Sequence, residues 1–146
     1  MKAGSAKVDI TPDGPVWMQG MIRAHKSDGV HDHLYAHALV LSDGSMKESY
    51  AVVSLDLCEL VRADGMAARE EIENRTGIPV HNIVITATHT HSGPATVGSL
   101  SPKESEYIKQ LQGRIVESVE QAIKNLRPAL VGVGCGKEGT ISHYRR

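Results

Sequence analysis

Two apolar runs with a helix-period segment between them restrict this chain more than any other feature. "YAVVSLDL" (50–57) carries Val52, Val53 and Leu55, and "IPVHNIVITATHT" (78–90) carries the run IVIT. Between them, "CELVRADGMAAREEIENRTG" (58–77) places Leu60, Val61, Met66 and Ile72 roughly on one stripe, and Gly77 supplies a C-terminal stop. A strand, a crossover helix and a second strand favour parallel pairing with a right-handed connection.

The flanking segments extend this unit. "AKVDITP" (6–12) alternates as a short strand and ends at Pro12. "HDHLYAHALVLSDG" (31–44) puts Leu34, Ala36, Ala38 and Val40 on one face, and Asp43-Gly44 is a turn signal, so this strand and the run at 50–57 form an antiparallel hairpin. "SPKESEYIKQLQGRIVESVEQAIKNL" (101–126) is the strongest helix, with apolar residues every three or four positions from Ile108 to Leu126. Ser101 is positioned to cap it, Pro102 suits the first helical position and Glu104 suits a capping box. "ALVGVGCG" (129–136) reads as a last strand, which makes a second strand–helix–strand crossover with parallel pairing. The expected fold is α/β: one domain over 1–146, a mixed sheet of about five strands with an N-terminal antiparallel hairpin, and two main helices. Residues 13–30, rich in glycine and without period, read as a long functional loop. The apolar stripe of the second long helix is also a candidate face for self-association or for a segment outside this chain.

Composition narrows the function. With 16 basic and 17 acidic residues the chain has no electrostatic footprint for nucleic acid or anionic membrane, and it lacks phenylalanine for stacking on bases. Cys58 and Cys135 make no disulfide framework and read as small buried apolar residues. The N-terminus has no apolar signal region and no run reaches the ~20 residues of a transmembrane helix, so the expected location is the cytoplasm.

The chemistry concentrates in "VITATHTHSGP" (84–94). His89 and His91 fall at the end of a strand, where α/β sheets gather ligands. In extended backbone the two would share one face roughly 6.5–7 Å apart, close enough for two imidazoles to converge on a cation. Thr88 and Thr90 then point away with hydroxyls free to bond the backbone, and Gly93 permits close approach by substrate. Zinc takes three or four protein ligands, so others are needed. Asp56, at the end of the neighbouring apolar strand, is costly to bury without a partner; a metal, a histidine or a helix N-terminus would serve, and capping the helix near Glu59 is the plain structural alternative. His31, Asp32 and His33 have strand spacing but open a strand, where polar residues are ordinary. His25 and His81 read as surface residues, and His37 alternates with His33 on a polar face. The whole motif read as a satisfied turn in a noncatalytic domain stays open.

Taken together, "ATHTHSGP", "AGSAKVDITP", "GVHDHLYAHALVL", "AVVSLDL" and "RTGIPVHNIVITATHTHSGP" resemble the neutral/alkaline non-lysosomal ceramidases, and "GVGCGKEGTISHYRR" resembles their glycine-rich segment. The resemblance implies a zinc-dependent hydrolase of the amide C–N bond of ceramide-like lipids, in sphingolipid metabolism. It makes His89 a direct zinc ligand and His91 a zinc-side group or substrate-facing base. Asp56 and Arg145 would belong to the polar surround. Tyr144 and His37 stand where the family usually shows asparagine and often shows arginine. The family's remaining ligands lie well downstream, so the chain is expected to be the first third of an enzyme, nearly inactive alone. A metal-dependent hydrolase of a polar amide or ester is the other enzymatic reading.

Overall fold

Alternating burial along each strand builds the sheet. The structure, a computed structural model, describes residues 1–141. Strands β1 (Lys2–Asp9), β2 (Tyr35–Ser42), β3 (Tyr50–Leu55), β4 (Ile83–Ala87) and β5 (Arg127–Pro128) form one sheet in the order β4-β3-β2-β1-β5. β2 pairs antiparallel with both β1 and β3, and β3 pairs parallel with β4. Helix α1 (Arg62–Thr76) is the crossover between β3 and β4, and α2 (Ser105–Lys124) follows β4. The mixed sheet, the hairpin and the two helices agree with the sequence pattern.

Ala36, Ala38 and Val40 of β2, Ala51, Val53 and Leu55 of β3 and Ile83 of β4 all point to one side. There they meet Ala68 and Ile72 of α1 and Ile108, Leu111, Ile115, Val116, Val119 and Ala122 of α2. The α2 stripe is therefore spent inside the chain, on the sheet, and is not an exposed association face. Both helices cover the same side. The other side of the sheet stays open, with Leu39, Val52 and Val84 more than two-fifths exposed. Tyr107 of α2 is buried and donates its hydroxyl to the Ile10 carbonyl at 2.8 Å, and burial holds its phenol well above the ordinary value.

Three boundaries differ from expectation. The predicted strand at 129–136 does not form: Leu130 is fully exposed and Val133 nearly so. Gly132, Gly134 and Gly136 fill every second position, which leaves one face of such a strand with nothing to pack. Only Arg127–Pro128 pairs, antiparallel to β1 on the opposite edge, so the second crossover gives no parallel pair. Helix α1 begins at Arg62, with Val61 at its cap and no side-chain cap bond, but ends as expected on Gly77 at φ 78.

Helix α2 begins at Ser105, later than the Ser101 cap predicts. The capping residues are diverted to the long loop. Glu104 Oε1 accepts the Trp17 N–H at 2.8 Å and faces Lys26 Nζ at 3.3 Å, and the Ser101 hydroxyl donates to the Met18 carbonyl at 2.9 Å. No helix among the described residues is long and apolar enough to cross a membrane.

Candidate metal centre

The parallel pairing of β3 and β4 runs on past both strands. The Thr88 N–H donates to Leu55 O and the His89 N–H to Leu57 O, each at 2.9 Å. The two strand ends therefore leave the sheet side by side and bring residue 58 against residue 89. His89 then turns into the left-handed region at φ 63, the only non-glycine residue to do so among those described. An L side chain adopts that conformation at a cost, and such positions cluster at functional sites. The two histidines converge because of this turn, not through extended alternation. Their ring centroids lie 5.0 Å apart, edge to face. Thr90 serves the turn as predicted, its Oγ1 accepting the Ser92 N–H at 3.2 Å.

Donor atoms of Cys58, His89 and His91 all lie within 4.8 Å of one another. Cys58 is buried at the base, His91 is half-buried and His89 is exposed at the mouth. Nδ1 of His89 is 2.9 Å from the Cys58 carbonyl and 3.6 Å from its Sγ. Burial pushes the Cys58 thiol above its ordinary 9.0, and the Glu59 carboxylate adds to the effect. With Nδ1 taken up by the carbonyl, Nε2 is the His89 nitrogen free to bind a metal such as zinc, which favours imidazole ligands.

The long loop wraps this centre. Gln19 N–H donates to Gly93 O at 3.0 Å, Ala95 N–H donates to Trp17 O at 2.7 Å, and Met18 bridges to Pro94. Gly20, at φ 97, lies against the His91 ring, where a Cβ would stand 2.4 Å from Cγ. Arg23 Nη2 donates to the His91 carbonyl at 3.2 Å. Buried Gln19 donates to Glu59 Oε1 at 3.0 Å and Ser99 Oγ at 3.1 Å. Beyond the same loop lies a cleft of ≈ 650 Å³ lined by Val16, Met18, Val30, Leu34 and Pro94, with Asp13 and Asp28 among the polar residues of its lining.

The remaining sequence candidates separate. Asp56 takes the Tyr35 N–H at 3.0 Å and faces His37 Nε2 at 3.6 Å, so its partners are β2 groups and it neither caps α1 nor joins the convergent donor set. His33 pairs with Asp9 at 2.6 Å, and His31 is fully exposed beside Asp32 at 3.8 Å. His25 and His81 are exposed, as expected. The close approach at Gly93 is by the chain itself: a Cβ there would stand 3.3 Å from the Asp56 carbonyl. Cys135 is exposed, against expectation, whereas Cys58 is buried. Arg145 and Tyr144 lie outside the described residues. Cys58, Gly20 and Arg23 are the site neighbours that sequence reasoning did not single out. For Cys58 the signal was the parallel register, Leu55 opposite Ala87, continued past the strand ends.

Residues 1–142 match the family described as neutral/alkaline non-lysosomal ceramidase, N-terminal. The chain is 27% identical to a neutral ceramidase of Pseudomonas aeruginosa, over 92% of this chain and 22% of that protein. It is 30% identical to neutral ceramidase 3 of Arabidopsis thaliana, over 92% of this chain and 20% of that one. A crystal structure of the Pseudomonas aeruginosa neutral ceramidase matches with a TM-score of 0.71 at 26% identity, covering 87% of this chain and 22% of that one. A ceramidase complexed with C2 matches with a TM-score of 0.69. The chain thus spans about a fifth of the length of these relatives, less than the third expected. By the extent of the family match, the chain belongs to the neutral/alkaline non-lysosomal ceramidases and carries their N-terminal region.

Proposed function

We propose that this chain is the metal-bearing N-terminal part of a zinc-dependent amidohydrolase that cleaves the N-acyl bond of a ceramide-like lipid. The observation that supports it most is the convergence of the His89 and His91 rings at the end of a parallel strand pair, in a chain of the ceramidase family. His89 would hold the ion directly, with His91 beside it. Zinc, when bound, polarises a carbonyl and lowers the pKa of a coordinated water. His91, half-buried and packed against Gly20, would move a proton between water and the leaving amine. Asp56 is expected to act through His37 in the polar surround, and Arg145 to contribute a cation there. The apolar walls of the neighbouring cleft suit an acyl chain.

The test is release of fatty acid from an N-acylsphingosine by the chain alone and by the chain joined to the downstream region of a relative. Little turnover is expected from the chain alone. In the joined protein, His91→Ala should lower kcat by about 10²-fold or more, in keeping with loss of a proton-transfer group. An unchanged rate in both His89→Ala and His91→Ala would overturn the reading. Equal turnover of a short polar amide would reassign the substrate and keep the chemistry.

A further inference from the structure

We infer that Gln19 is a positioning residue of the candidate centre: by holding Glu59 it fixes the Cys58 carbonyl that orients the His89 ring and sets its tautomer. The inference rests on the metal role proposed for His89 and adds a residue that acts on it only through others.

A carbonyl only accepts, so the 2.9 Å contact between His89 Nδ1 and the Cys58 carbonyl puts the ring proton on Nδ1. Nε2 then keeps its lone pair, as a metal-binding histidine requires. His89 is exposed, so packing does not hold its ring and the carbonyl must. That carbonyl belongs to the peptide joining Cys58 to Glu59, in the connection 56–61 between β3 and α1. Helix α1 starts without a side-chain cap bond and gives this connection no such anchor. The anchor is Glu59, gripped twice. Its carbonyl accepts the hydroxyl of buried Thr96, and its Oε1 accepts Gln19 Nε2 at 3.0 Å. The Gln19 backbone N–H donates in turn to Gly93 O at 3.0 Å. One residue thus ties the peptide behind His89 to the turn that follows His91.

Packing alone does not favour glutamine here. Gln19 is 1% exposed, and its Oε1 is buried with no partner among the described residues. An acceptor buried in that way is unfavourable. Both amide hydrogens go to side chains of exposed residues, Glu59 and Ser99, which water would satisfy as well. A methionine of similar length would fill the space without the orphaned oxygen. The amide therefore adds little stability; what it supplies is a fixed place for Glu59.

The test reads the His89 tautomer by long-range nitrogen–proton NMR on the metal-free chain, above the imidazole pKa, with His89→Ala assigning the signals. The variants are Gln19→Met, Glu59→Leu, Glu59→Gln and the double variant Gln19→Met/Glu59→Leu, with circular dichroism checking the fold. The unmutated His89 should be mainly Nδ1–H. Gln19→Met and Glu59→Leu should each shift it severalfold toward Nε2–H. Each should weaken zinc by about 10-fold, the low end for losing an outer partner of a metal-bound histidine. Glu59→Gln keeps an acceptor for Gln19 and should behave as the unmutated chain does. The double variant should be no worse than either single one, because both cut the same tether. Gln19→Met should act without lowering the melting temperature, which a general loosening of the loop would lower. An unchanged tautomer ratio in Gln19→Met, or an unmutated His89 that is mainly Nε2–H, would overturn the positioning role; zinc binding abolished by His89→Ala would still support the metal reading. An intact tether in a chain whose zinc binding His89→Ala leaves unchanged would overturn the metal reading instead.

Discussion

Gly20 and His91 fit together only because Gly20 has no side chain. At φ 97, and with a Cβ destined to sit 2.4 Å from the ring, Gly20→Ala must twist the loop and push the imidazole away. We expect a loss of about 1–3 kcal/mol in urea denaturation and weaker zinc binding by calorimetry. Gly14→Ala, in the same loop but with open space around it and no positive φ, should change neither. Asp9 yields a pH prediction. Hydrogen bonds from Thr11, side chain and then N–H, lower its carboxyl below the ordinary 3.8, and His33 assists. Folding therefore favours the ionised form. Its stabilisation is complete above about 3.8 and fades as the pH falls through the lower folded value. Asp9→Asn should lower the melting temperature at pH 7, with the gap closing below pH 3.8, and the gap should be under about 1 kcal/mol because the pair is half-exposed. At this scale the sequence showed the two histidines, since their spacing and strand-end position are local facts. Cys58 and Gly20 reach the site through a strand register and a loop path, which are facts about distant parts of the chain.

Strand β1 and helix α2 touch backbone to backbone at Gly4, where a Cβ would stand 2.1 Å from the Ala122 carbonyl and 2.8 Å from the Leu126 nitrogen. Neither neighbour is the flexible end of a side chain. Gly4→Ala should lift the end of α2 from the sheet and cost about 2–4 kcal/mol, read from the denaturant midpoint; a midpoint unchanged within error would mean the close approach does not hold the layers together. The elements whose signals are local were legible. Alternating Ala36, Ala38 and Val40 marked β2, and Gly77 marked the end of α1. The start of α2 was misplaced because Ser101 and Glu104, good capping types, are used instead by Met18 and Trp17, more than eighty residues away. The final strand was misplaced because alternating valine and glycine imitates strand period without supplying a second packed face.

The helices and the core side of the sheet bury a continuous apolar cluster that includes none of Cys58, His89 or His91. The candidate centre lies instead at the strand ends, held by the turn at His89 and the loop through Gly20. Fold and site are thus joined but separable, unlike a small zinc domain whose core is the metal. That separation has a measurable consequence. Removing metal with a chelator should leave the helical circular dichroism in place, whereas zinc should raise the melting temperature as it binds the folded chain alone. At a free zinc concentration a hundred times the dissociation constant, the gain is about 2.7 kcal/mol. His89→Ala should keep the melting temperature of the metal-free chain close to its original value and lose the zinc-dependent rise. Collapse of the secondary structure on chelation would mean that the metal builds the fold. A rise in melting temperature that His89→Ala does not diminish would place the ion elsewhere. The sequence could not tell these outcomes apart, because the same THTH stretch would serve a site perched on a core or one that replaces it; the apolar packing of α2 on β1, β2 and β3, formed without either histidine, is the reason to expect the first.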